Sequence, residues 1–307
     1  MRATLIEDAG AAASSPGQFF RSPPFLSAEG VTHTLRIDSE PPLLAPLAVR
    51  PIDGGDRVDA ISPYGYPGAS SAPDPPLDPA AVDWSATGLV TIFLRDQIGA
   101  PCLAGGTARS PVHLADPRRE GGVRKRMREQ IRANERRGWR VGVEPGPEAI
   151  PSDRRAFIAA YEQTMRRTEA ADRYLFAPEY FEEVLSEPSA WLLLAGRESA
   201  APEAGAIAVT SDGHLHYFLG GTKEAALGDS PMKNLFAAMI ALAGELGLVL
   251  NLGGGVEAGD SLDSFKRRFA NDGAEFVTHE IVCDPDAYAE LSAGREPPAD
   301  FFPAYRA

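Results

Sequence analysis

From residue 151 onward the apolar positions switch between two periods in a definite order. Residues 151–167, PSDRRAFIAAYEQTMRR, open on Pro, Ser and Asp and set Phe157, Tyr161 and Met165 one turn apart, which predicts a capped amphipathic helix. A shorter helix is predicted over 177–187, with Pro178 in its first turn. WLLLAGR (191–197) reads as a strand, and 203–221 as two strands joined at Ser211-Asp212-Gly213, a hairpin signal. In 229–247, Asp229 or Ser230 is the expected cap and Pro231 lies in the first turn. Leu235, Phe236, Met239, Ile240, Ala243 and Leu246 form the apolar face there, and Gly247 closes the helix. LVLNL (248–252) is a buried strand, 260–269 a short helix turning Leu262, Phe265 and Phe269 inward, and 275–283 a last strand. The order α-α-β-β-β-α-β-α-β predicts an α/β chain with a mixed sheet and helices on both faces.

The first half is less regular. Residues 1–28 are rich in Ala, Ser and Pro and are expected to pack poorly; 32–37, 46–52 and 88–96 read as strands. Six prolines between Pro63 and Pro79 forbid a regular helix or central strand and predict a long surface loop. Val123, Met127 and Ile131 recur at i, i+4 and i+8, one apolar stripe on a charged helix that Gly138 ends. The expected division is 1–28, then 29–150, then 151–307.

Charge changes the picture at that helix. The net charge of the 307-residue chain is -13, yet residues 118–140 hold ten Lys or Arg against three Glu, so this segment is +7 and the remainder -20. Such segregation points to a polyanionic partner, although a solvated surface helix has the same composition. No stretch has the roughly 18 uninterrupted apolar residues of a membrane span, and the N-terminus lacks a signal-peptide pattern, so a cytoplasmic location is expected. Cys102 and Cys283 have no metal-type spacing, and Cys102 has no evident His partner. His214 and His216 would share one face of a strand; metal ligation or ordinary packing suits that spacing, and no metal is expected.

Five stretches in order, DAISPYGYPG (59–68), IRANERRGWRV (131–141), YEQTMRRTEAADRYLF (161–176), LHYFLGGT (215–222) and LNLGGGVEAGDSLDSFKRRF (250–269), resemble the FemAB/FemX-like superfamily. The resemblance covers about residues 30 to 285, and its most specific piece is the glycine run followed by D-S-L-x-x-F-K-x-x-F. It implies two tandem halves of the GCN5-related N-acetyltransferase (GNAT) fold packed as one unit, and transfer of an acyl group to an amine. Fem-type members take an aminoacyl group from charged tRNA and form a peptide bond, in some cases in peptide-antibiotic biosynthesis. Relatives with the same motifs use acyl-CoA, so acetyl-CoA is the alternative donor.

The resemblance also implies roles. Phe265 and Lys266 match the pair lying where the donor ester meets the acceptor, and an ammonium there stabilises an oxyanion or places the terminal ribose. Tyr64 and Tyr66 border the acceptor site, Arg167 and Tyr174 match residues that bind phosphorylated acceptors, and Tyr217 matches a strand tyrosine lining the site. Gly254 and Gly255 permit close backbone approach to a ligand, or simply turn the chain. The basic helix would meet tRNA through Arg124, Lys125, Arg128 and Arg132. No cofactor is expected beyond the donor itself, and the chain is expected to act as a monomer. Without an activated-nucleophile motif, the acceptor amine attacks directly, and the base is left open among Asp260, Asp263, Glu257 and the substrate. The loop before 229–247 has only scattered glycines, and Asp229 would repel a pyrophosphate there, which favours tRNA over CoA.

Overall fold

A computed structural model describes every residue except 15–16, 53, 199, 256–258 and 299–300. In chain order the strands are β1 (Ala3–Ile6), β2 (His33–Ile37), β3 (Leu43–Pro51), β4 (Val58–Ile61), β5 (Thr91–Arg95), β6 (Thr107–Ala115), β7 (Trp139–Pro145), β8 (Ala190–Arg197), β9 (Ala204–Ser211), β10 (His214–Thr222), β11 (Val249–Gly253) and β12 (Asp272–Val282). The helices are α1 (Pro23–Ala28), α2 (Lys125–Arg136), α3 (Pro151–Arg167), α4 (Pro178–Ser186), α5 (Met232–Glu245), α6 (Ser261–Lys266) and α7 (Pro285–Ser292). Among the described residues no helix is long and apolar enough to cross a membrane.

The chain divides into two compact units. The first comprises Met1–Ser15, Phe20–Arg109 and Glu275–Ala307; the second comprises Pro16–Phe19 and Ser110–Ala274. This differs from the expected border at 150. Met127, Ile131 and Trp139 pack into one core with Leu235, Phe236 and Met239, which ties the basic helix to the second unit. The last strand goes the other way: Thr278–Val282 of β12 pair antiparallel with β5 in the first unit.

In the first unit β1, β2, β3 and β4 are successive antiparallel neighbours, and β4 runs parallel to β5. Leu35, Ile37, Leu43, Leu47, Ile92 and Leu94 form its core. The described residues of 1–28 pack better than their composition suggests. They supply β1 and α1, the latter capped by Ser22 and started by Pro23, and Phe20, Phe25 and Leu26 are fully buried. A few well-spaced apolar residues outweigh the Ala/Ser/Pro average, because burying each Phe or Leu is worth about 1.5–3 kcal/mol.

In the second unit β7, β8, β9 and β10 form an antiparallel meander, β10 is parallel to β11, and β11 is antiparallel to β6. The two-residue alternation of β9 separates the faces. Ala204, Ala206 and Ala208 join the core of α5, while a Cβ on the intervening Gly205 would press on Phe157 of α3. Helices therefore cover both faces, in the order expected. Leu246 falls outside the predicted apolar face and is exposed, because α5 ends at Glu245 and the chain turns away.

Candidate active site

Two strands diverge where the glycine run begins. The parallel β10–β11 ladder covers only His214–Val249, Leu215–Leu250 and His216–Asn251; beyond it β10 continues to Thr222, while β11 stays with β6. Asn251 holds the fork. Its Nδ2 donates to His216 Nδ1 at 2.9 Å, and its Oδ1 accepts from Gly253 N at 2.7 Å. His216 is buried, its Nε2 lies 3.2 Å from Ser211 O, and desolvation lowers its pKa to about 3. It is thus a neutral packing histidine, and His214 Nδ1 meets Asp212 O, so this pair is spoken for by backbone.

Lys266 lies against the fork. It is only 6% exposed, its Nζ donates to Gly254 O at 2.7 Å, and the ammonium stands 5.4 Å from the Tyr217 ring centroid. Burial lowers its pKa to about 8, an effect that nearby Asp260 and Asp263 oppose. Burial also pushes the Tyr217 hydroxyl up to about 12. Phe236 packs edge-on against Tyr217 and also meets Phe265 at 5.4 Å, closing an aromatic wall beside the ammonium. Gly253 has φ 70, and a Cβ on Gly254 would fall 2.6 Å from Pro111 O. Only glycine lets the chain turn and bring that carbonyl to Lys266.

The face of α6 differs from the predicted one. Leu262 is 39% exposed, whereas Asp263 and Lys266 are buried. The helix has six residues and ends at Lys266, so the period of 3.6 does not extend to Phe269, which is buried from the following turn. Arg267 and Arg268 are exposed. Asp263 is buried because His113 Nε2 meets its Oδ1 at 2.6 Å, and Asp260 caps α6 by accepting from Asp263 N. His113 stands opposite Gly253 in the β6–β11 register, next to the residue that binds Lys266. Among the described residues the other ring nitrogen of His113 has no hydrogen-bond partner. Sequence reading missed His113; the available signal was its place between apolar Val112 and Leu114, both of which are buried. Glu257 lies outside the described residues.

Tyr217, Gly254, Phe265 and Lys266 are thus brought together, with Gly255 next along the chain. Arg167 donates to Thr222 O at 3.1 Å, tying the end of α3 to the end of β10. The backbone carbonyl of Tyr174 accepts from the Tyr161 hydroxyl at 2.9 Å. Tyr64 and Tyr66 belong to the first unit, where Tyr64 N donates to Glu29 and Tyr66 stacks edge-on against Phe20 and Phe276.

Residues 121–267 match the family described as acetyltransferase (GNAT) domain. Among solved structures, FemX is similar at a TM-score of 0.61 with 13% identity, over 95% of this chain and 99% of FemX. L-PGS from Bacillus licheniformis is similar at a TM-score of 0.57 with 14% identity, over 88% of each chain. The chain has the FemX-like GNAT fold. No curated sequence matches it.

Within this GNAT fold, α2 has a basic row. Arg124, Arg128, Arg132 and Arg136 recur every fourth residue, all are exposed, and none forms an ion pair among the described residues. Lys125 lies 4.0 Å from Glu129, Arg137 pairs with Asp229 and Arg140 with Glu198. Arg132, Arg136 and Arg140 line an open groove of about 830 Å³ with Asn234 and Ala238 of α5; Lys266 and His113 are not among its walls. Asp229 does not act as expected. Arg137 and Arg197 pair with it at 2.9 and 2.8 Å and Trp139 Nε1 donates to it, so its charge is locally compensated and gives no argument against a pyrophosphate.

Cys102 is also corrected. Its thiol shares a buried cluster in the first unit with Asp96 and His279. The partner lies 177 positions away, beyond the reach of any spacing rule.

Proposed function

We propose that the protein is an N-acyltransferase that moves an aminoacyl group from a charged tRNA to an amine. The observation that carries this reading is Lys266, an ammonium buried at the fork of β10 and β11, held by a glycine carbonyl and walled by Tyr217. Holding a charge there costs desolvation energy, which a purely structural role would not require. A carbonyl donor bound at the fork would place its developing oxyanion against the remaining Nζ protons. The acceptor nitrogen attacks the ester carbon, and the C–O bond to the ribose breaks. The ribose oxygen takes a proton, and the amide nitrogen loses one.

His113 is the base we assign to that nitrogen. With Nε2–H directed at Asp263, its other nitrogen is the acceptor, in the arrangement by which a carboxylate fixes a histidine tautomer. Asp260 and Asp263 are already engaged, by a helix cap and by His113. His113→Asn keeps a donor for Asp263 and removes the base. Turnover is expected to fall about tenfold, the low end for general base catalysis, because an acceptor amine is partly deprotonated in solution. Unchanged turnover in this variant would remove His113 from proton transfer.

The unpaired arginine row of α2 supports tRNA over coenzyme A as donor, because a row of separate cations suits successive phosphates. The donor is tested with purified protein, a panel of small primary amines, and either aminoacyl-tRNA or acetyl-CoA carrying a labelled acyl group. Labelled amide is expected from the tRNA only, and prior RNase treatment should abolish it. Amide from acetyl-CoA alone would replace this reading with that of an acetyltransferase.

A further inference from the structure

We propose that Asp96, Cys102 and His279 form a site for one thiophilic divalent cation of the zinc type in the first unit, apart from the acyl-transfer residues. One ligand atom from each, a carboxylate oxygen, Sγ and an imidazole nitrogen, lie within 4.8 Å of one another. All three residues are buried, at 0%, 4% and 4% exposure. Asp96 follows β5, and Cys102 returns to it after a tight turn bridged at Gln97–Ala100, so that Cys102 N donates to Asp96 Oδ1 at 3.0 Å. His279 lies on the paired strand β12, opposite Leu94, with Nε2 at 2.7 Å from Asp96 Oδ2.

Three features favour a cation over a purely structural cluster or a nucleophile. Thiolate, imidazole and carboxylate are the donors that zinc takes together, whereas calcium and magnesium take oxygen alone. With the thiol proton released to solvent, Asp96 and Cys102 supply two negative charges, which neutralise a divalent ion in a site too buried to tolerate net charge. Of the three residues His279 alone borders a cavity. His279 forms part of the wall of a cavity of about 460 Å³ with Gly106, Thr107 and Thr278, and a Cβ on Gly106 would fall 2.6 Å from His279 Cε1. The missing side chain keeps the imidazole edge open to that cavity. A thiol nucleophile needs a histidine between thiol and carboxylate, but here the Asp96 carboxylate is hydrogen-bonded to both the Cys102 thiol and His279 Nε2.

The test is cobalt(II) titration of the purified full-length protein, followed by displacement with zinc. One equivalent is expected to bind with a thiolate-to-cobalt charge-transfer band, which zinc abolishes. Cys102→Ser should remove the band and weaken zinc binding at least tenfold, comparable to losses on perturbing a metal site. Cys283→Ser should keep both, since that thiol is not in the cluster. A bound cobalt spectrum without the band, a band lost with Cys283, or wild-type zinc affinity in Cys102→Ser would each overturn the site. Should Cys102→Ser fail to fold, His279→Asn and the wild-type melting temperature decide. Zinc is expected to raise the wild-type value reversibly and leave the variant unmoved; an unmoved wild type would overturn the site.

Discussion

Lys266→Ala is expected to lower turnover by about a hundred- to a thousandfold, the range seen on removing one oxyanion donor, while the protein stays folded. The variant loses the hydrogen bond to Gly254 O but also the cost of burying an ammonium, so the two effects on stability oppose each other. The pH dependence separates catalysis from structure. Lys266 has its pKa lowered from 10.5 to about 8 by burial. If the ammonium stabilises the oxyanion, the rate falls as pH rises through about 8, and Lys266→Arg, charged throughout, loses that fall. The linkage to stability has the opposite sign. Below about 8 the lysine is charged in both folded and unfolded chains, and the burial penalty is fully present. Between about 8 and 10.5 the unfolded chain binds more protons, so folding stability rises with pH. Wild type should therefore gain stability over the interval in which it loses activity, and Lys266→Met should do neither. Turnover that survives in Lys266→Ala would take this residue out of the chemistry.

How far the sequence foretold this site depended on distance along the chain. Helices α3 and α5, the hairpin at 211–213 and the strand–glycine–helix run around Lys266 follow from local periodicity and punctuation, and all are present. The burial of Lys266 is not legible from period alone, which marks Leu262, Phe265 and Phe269 as the inward positions. His113 and Asp263 are 150 positions apart, and Asp96 and His279 are 183 apart. Such pairs are made by strand order, which no local pattern encodes. Asp229 is the reverse case: its charge was legible, but the two arginines that compensate it come from Arg137 and Arg197 on other elements. Residues 1–28 were misjudged because composition averages over the few positions that pack.

Replacing Arg124, Arg128, Arg132 and Arg136 together by Gln is expected to weaken tRNA binding about a hundredfold at low salt and to stabilise the protein slightly. The second half of that statement is the informative one. The row makes three successive like-charge pairs at i, i+4, each costing about 0.2–0.5 kcal/mol, and none of the four forms an ion pair among the described residues. Arg124 is moreover at the N-cap, where the helix dipole disfavours a cation. Under the proposed function, the phosphates of the donor are what offset this cost to the helix. Four lost phosphate contacts should flatten the plot of log affinity against log salt by about 3, given roughly 0.7–0.9 per contact. The loss should be the same for charged and uncharged tRNA and for different sequences, because phosphate contacts position the RNA without reading it. Lys125→Gln is the internal comparison: its ammonium already lies 4.0 Å from Glu129, so its effect on the slope should be smaller than that of any one arginine in the row. An unchanged salt slope in the fourfold variant, with tRNA still bound, would make α2 a solvated surface helix and move the donor's path elsewhere on the second unit.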